Sequence, residues 1–132
     1  MSDEERIYAK LIRQSRFADI HLAPYTLRVA SIFAVLTRLK PSEKPGMSLI
    51  KKLRLYDGEE LDGVTQRLVR ELREETPREG MEGLSPRFII DGLARAITEH
   101  GRRCLNPLDA LRGLRAQLDH HPNIDAQKKK EY

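Results

Sequence analysis

The sequence has little of what usually betrays a protein's chemistry. There is one cysteine, Cys104, so no intrachain disulfide can form and a zinc framework of cysteines is excluded. A lone thiol fits a reducing compartment, and with no base beside it in sequence Cys104 reads as structural. No apolar run approaches the roughly 20 residues of a membrane span. The opening MSDEERIYAK is acidic, without the basic-then-apolar order of a signal peptide. A cytoplasmic location is expected. The chain also lacks a glycine-rich phosphate loop followed by Lys and Ser/Thr, and it lacks a dinucleotide fingerprint. It therefore holds no nucleotide phosphates by the usual loop. There is no tryptophan and there are only three phenylalanines, against 33% charged residues; this is the composition of a helix-rich soluble chain with much surface.

What is present suits one domain: 132 residues, 39% hydrophobic, enough for a real core and too few for two comfortable ones. The net charge of +4 comes from 24 basic and 20 acidic residues with the two signs interspersed, which permits an anionic partner without requiring one. Met1–Glu5 runs straight into a helical pattern and Ala126–Tyr132 stops inside another. The expectation is a piece of a longer chain, with a helical domain over residues 1–120 and a linker or the start of a further helix over 121–132.

Hydrophobic periodicity predicts six helices. The first covers Asp3–Arg16, with Ile7, Leu11 and Ile12 marking a face, Tyr8 beside them, and acids at its positive end. Pro24–Leu39 is apolar nearly all round, the mark of a central core helix, with Pro24 at its first position. KPSEKPG (Lys40–Gly46) is a loop, and Ser48 can cap a short helix Leu49–Tyr56 that Asp57-Gly58 breaks. The turn-rich link that follows leaves a brief hairpin near residues 55–64 as an alternative. Val64–Glu75 carries a narrow stripe (Val64, Leu68, Val69, Leu72) on a charged, solvated body. Arg78–Gly83 reads as a flexible loop, Ser85–His100 as a fifth helix stopped by Gly101, and Asn106-Pro107 opens a sixth that reaches about Asp119 before His121-Pro122. The fold class is all-α, an irregular bundle of about six helices.

Few side chains invite chemistry. His120 and His121 are adjacent and read as a solvated helix end. His100 sits at a helix C-terminus, where the dipole favours a cation. His21 reads as a cap or core histidine rather than a catalytic one. Glu71, Glu74 and Glu75 alternate with Arg67, Arg70 and Arg73 as a salt-bridged face, and no metal site is expected. Arg87 differs. Ile89, Ile90, Leu93 and Ile97 line one side of the fifth helix, and Arg87, Asp91 and Arg95 fall on the other at ~100° per residue. A cation in the first turn is slightly unfavourable for the helix. It makes sense if an anion is brought there, where N–H groups and guanidinium act together. Alternatively Arg87 pairs with Asp91 four residues on.

Three blocks carry a resemblance: IYAKLI with HLAPYTLRVASIFAVLTRLKPS, then SLIKKLRLYDGEEL, then REGMEGLSPRFIIDGLARAI with NPLDALRGL. In order and spacing, over nearly the whole chain, they resemble the PrkA family of bacterial serine protein kinases. Members look like an AAA+-type ATPase module followed by a C-terminal kinase-related region, and the match falls where the helical lid would lie. The resemblance implies that Ser85-Pro86-Arg87 stands at the sensor 2 position, Arg87 reaching nucleotide phosphates and reporting nucleotide state through lid movement. More weakly, it places His21 and Arg28 near the base. It implies ATP and Mg for the parent and none for this piece. The implied partners are the missing AAA+ core, the C-terminal region, a protein substrate of the kinase and further copies of the parent. A pure protein-interaction or oligomerisation module is one competing reading, which overlaps the lid because such lids touch neighbouring subunits; another makes Ser85–His100 the recognition helix of a nucleic-acid-binding module, with Arg87, Arg95, Arg102 and Arg103 on phosphates. The mixed acids and the absence of a basic stripe oppose it.

Overall fold

Among the described residues, α5 (Pro86–His100) and α6 (Pro107–Asp119) share the most extensive packing, and glycine on each helix lets them approach closely. A Cβ on Gly113 would lie 2.5 Å from the Gly92 carbonyl oxygen and 2.6 Å from Ala96 Cβ. Small residues here let the backbones approach and the flanking Leu93 and Leu114 interlock. The computed structural model describes residues 1–61, 66–100, 103–121, 124 and 126–132, with His100 and Glu131 described in backbone only. The expectations for Val64, Gly101, Pro122 and the His100 and Arg102 side chains lie outside the described residues.

Around this pair stand α1 (Ser2–Arg13), α2 (Thr26–Leu36), α3 (Leu49–Tyr56), α4 (Gln66–Glu75) and a short α7 (Ala126–Glu131). One core gathers Tyr8 and Ile12 from α1, Leu27, Ala30 and Ala34 from α2, and the buried faces of α5 and α6. The fold is an all-α bundle, as expected, with α7 as a seventh helix. One pair of strands was not foreseen. β1 (His21–Leu22) and β2 (Cys104–Leu105) pair in parallel, His21 against Cys104 and Leu22 against Leu105. Two residues are too few to show an alternating pattern. In the suggested hairpin region, residues 55–61 form a helix end, a turn and coil.

Several faces differ from the periodic reading. On α1 the buried residues are Tyr8 and Ile12, while Ile7 and Leu11 are 43% and 39% exposed, because the helix sits against α2 along a narrow seam. On α6, Leu108 and Leu111 are likewise exposed. α2 begins at Thr26, not Pro24. Pro24 lies in the preceding turn, and Tyr25 caps the helix at φ +64°, an unusual conformation for a large side chain. The Thr26 hydroxyl donates to the Ala23 carbonyl oxygen within this turn at 2.8 Å and to the Leu105 carbonyl oxygen of β2 at 3.0 Å. α2 is also less enclosed than its composition suggests: Ile32, Phe33, Val35 and Leu36 are half-buried. The enclosed helix is α5, with Phe88, Ile89, Gly92, Leu93, Ala96 and Ile97 all buried. α4 is solvated as read: only Leu72 is buried, and Arg67 pairs with Glu71 at 2.9 Å. Its carboxylates also hold the 40–46 loop, Glu75 accepting from Ser42 and Glu43, and Glu71 from Lys44.

Candidate functional site

The amino end of α5 is built by the Leu84-Ser85-Pro86 sequence. Ser85 is the cap: its hydroxyl oxygen accepts the Phe88 N–H at 3.2 Å and its carbonyl oxygen the Ile89 N–H at 3.3 Å. Pro86 follows at the first helical position, where no N–H is needed. Arg87 is then exposed, with no hydrogen bond or ion pair among the described residues. The alternative pairing with Asp91 is not formed. Of the polar face, Arg95 is the residue that finds a partner, Glu99 at 2.6 Å.

Behind this end the chain is fastened to α2. Leu84 donates its N–H to the Thr37 hydroxyl at 3.1 Å, and its carbonyl oxygen accepts from Arg38 Nε at 2.9 Å. Gly83, at φ +104°, presses on the same point: a Cβ there would lie 2.5 Å from the Thr37 carbonyl oxygen. Arg38 is mostly buried and pairs with Glu4 of α1 at 2.5 Å. Burial opposes ionisation of Glu4, but Arg38 and the neighbouring Tyr8 outweigh it and hold this carboxyl below its ordinary range. Burial and then the Glu4 charge push the Tyr8 hydroxyl upward.

A second polar cluster was invisible in the sequence. Lys52, on α3, is 1% exposed, and its ammonium donates to Glu79 at 2.6 Å, to the Lys40 carbonyl oxygen at 3.1 Å and to the Thr76 hydroxyl at 3.3 Å. Glu79 also accepts from the Lys40 N–H at 2.7 Å and the Tyr56 hydroxyl at 3.0 Å. Burial raises the Glu79 carboxyl, but Lys52, the Lys40 N–H and Tyr56 prevail and lower it. Burial and then Glu79 raise the Tyr56 hydroxyl. The stretch expected to be a flexible loop is thus anchored through a buried ion pair. Lys52 adjoins the Leu49–Leu53–Tyr56 stripe, the only hint available, and nothing in sequence names a partner 27 residues away. Beside the pair lies a cleft of about 400 Å³ lined by Arg38, Tyr56, Arg73, Thr76 and Glu79.

The weaker candidates sit elsewhere. His21 is in β1 with its ring exposed, so it is not a core histidine. Arg28 is exposed on the first turn of α2. His21 pairs with Cys104 of β2, the strand that follows α5 in sequence, whereas Arg87 is in the first turn of α5. Cys104 is exposed in β2 rather than packed in the core. His120 is exposed, but His121 is half-buried with its ring 5.5 Å from that of Phe88, not solvated as expected. Among the described residues, no three His, Cys, Asp or Glu side chains cluster as a metal site, and no helix is long and apolar enough to cross a membrane.

Fold and site together define a helical module in which Arg87, unpaired among the described residues, stands at a capped, latched helix start. Comparison with known proteins specifies the module. Residues 1–46 match the family model described as the PrkA AAA domain, and residues 50–132 the one described as the PrkA serine protein kinase C-terminal domain. The chain belongs to the PrkA family. It is 42% identical over all 132 residues to the ATP-dependent protease PrkA of Bacillus subtilis (strain 168), covering 21% of that protein. It is 35% identical over 123 residues, 90% of the chain, to the serine/threonine kinase YeaG of Escherichia coli (strain K12), covering 19% of it. The chain therefore spans about a fifth of the length of these curated relatives. No solved structure matches it.

Proposed function

We propose that this chain is the nucleotide-sensing lid and regulatory part of an ATP-dependent serine protein kinase, inactive alone. The observation that carries this reading is Arg87: exposed, unpaired, in the first turn of a helix whose start Ser85 and Pro86 define. An unpaired guanidinium beside helix N–H groups is a good partner for a phosphate oxygen. The residues fit a nucleotide contacted at its phosphates from one side. They do not form a cradle, because the phosphate loop is absent from this sequence. ATP with Mg²⁺ would be held by the parent's ATPase core, and it supplies the transferable phosphoryl group. Arg87 would bind its phosphates and register their presence by drawing the lid toward that core.

His21 in β1 and Arg28 in the first turn of α2 would meet the nucleotide base or the core surface instead. The expected partners are the ATPase core and C-terminal region of the parent, further copies of it, and a protein substrate, all in the cytoplasm. One relative is named an ATP-dependent protease and another a serine/threonine kinase, which agrees with a nucleotide-driven parent. The nucleic-acid reading loses Arg95, which is committed to Glu99.

The test is Arg87→Ala in the full-length parent. ATP turnover or nucleotide-driven closure should fall by roughly 10²-fold, the scale of losing one transition-state donor. Unchanged turnover rejects the sensor role. A titration of this chain with duplex DNA addresses the rival, which predicts tight binding that weakens steeply with salt.

A further inference from the structure

The two family models meet between residues 46 and 50, beside the proline-rich loop. By sequence, α1 and α2 belong to the AAA part and α3 to α7 to the C-terminal part. The packing disregards that division. Tyr8, Ile12, Leu27, Ala30 and Ala34 share one core with the buried faces of α5 and α6. At one end of α2 the backbone is completed from beyond the boundary: His21 and Ala23 donate their N–H groups to the Arg103 and Leu105 carbonyl oxygens, both at 2.9 Å. At the other end Leu84 is held by Thr37 and Arg38, and the Gly80 N–H by the Arg38 carbonyl oxygen at 3.2 Å. Lys52 and Glu79 both bond Lys40, closing the loop itself. Residues 1–46 alone would leave their core face in water, and a segment that short rarely supports a core unaided.

We propose that α1, α2, α5 and α6 are one cooperative rigid body straddling the two family domains. The C-terminal part then begins inside the lid, and reorientation of the AAA-side helices reaches it through packed side chains, not through the 40–46 loop. The cooperative unit stands on the contacts above. Its use in relaying nucleotide state rests on the sensor reading of Arg87, a residue that sequence similarity assigns to the C-terminal part yet would serve the AAA part's nucleotide.

Native-state amide hydrogen exchange on this 132-residue chain tests the cooperative unit without nucleotide. In Leu93→Ala, the slowest amides of α2 (Ala30–Ala34) and of α6 should accelerate by the same factor, tenfold or more. Inserting ten Gly/Ser residues between Pro45 and Gly46 should leave α2 and α6 exchanging together, slightly and equally faster. Ile97→Val gives the same comparison if Leu93→Ala does not fold. α2 amides that keep their protection while α6 loses it, or an insertion that separates the two, would overturn the proposal. A silent Arg87→Ala in the parent would remove the relay role and leave the exchange result standing.

Discussion

The α5–α6 seam and the Lys52–Glu79 cluster hold neighbouring parts of this molecule by opposite means. The seam is apolar and close, made by glycine and leucine across two sequence-adjacent helices. The cluster is a buried charge pair that ties α3 to the end of α4 and to two loops. An apolar seam degrades gradually, since each lost methylene costs its own transfer and cavity terms. A buried ion pair fails abruptly, since removing one partner strands the other in a poorly solvating interior.

The largest effect should therefore come from the cluster. Glu79→Ala should lower stability by about 3–5 kcal/mol in chemical denaturation. The same substitution in a Lys52→Met background should cost far less, and equal costs in both backgrounds would show the pair to be uncoupled. On the seam, Ile89→Ala should cost about 2–5 kcal/mol, spread by how far α6 can collapse. Gly113→Ala should cost about 1–3 kcal/mol by forcing α5 and α6 apart; a neutral result would mean that the approach is not tight.

The pH dependence separates the two regions further. Glu79 is lowered from its ordinary value of 4.5 by the Lys52, Lys40 and Tyr56 hydrogen bonds, which outweigh burial. Its contribution is thus full above about pH 4.5 and is lost as pH falls through the folded value. Tyr56 is raised from 10.0 by burial and Glu79, so its contribution is present below pH 10 and is lost as pH rises beyond it. Urea midpoints at pH 3.5 and 7 should differ less in Glu79→Gln than in the parent sequence, whereas Ile89→Ala should keep the full difference. The smallest effect on stability belongs to Arg87→Ala, within about 0.5 kcal/mol and toward stabilisation, because a cation at a helix amino end is unfavourable there. A clear destabilisation would mean that Arg87 supports the fold.

The comparison also separates what was legible. Ser85, Pro86 and the Ile89–Leu93–Ile97 stripe announced α5, its start and its buried side. Asn106-Pro107 announced α6, and its side chain does cap the helix, accepting from the Asp109 N–H at 2.9 Å. These signals are local, within a turn or two of the backbone groups they satisfy. The face of α1 was misjudged at Ile7 and Leu11, because periodicity marks an apolar stripe but not how much of it a neighbour covers. Lys52 looked like any surface lysine.

By itself the sequence determined that the chain is helical, where α3, α5 and α6 begin, and that Arg87 stands in a first helical turn. Capping, proline geometry and the 3.6-residue period act over a few residues and need no partner. Packing alone settled that Arg87 is left unpaired while Arg95 is not, and that a lysine and a glutamate 27 residues apart share a buried bond. It also decided that α2 is completed from across a family boundary. Those outcomes depend on which faces meet, and burial and charge pairing between distant segments are set by packing rather than by any local pattern.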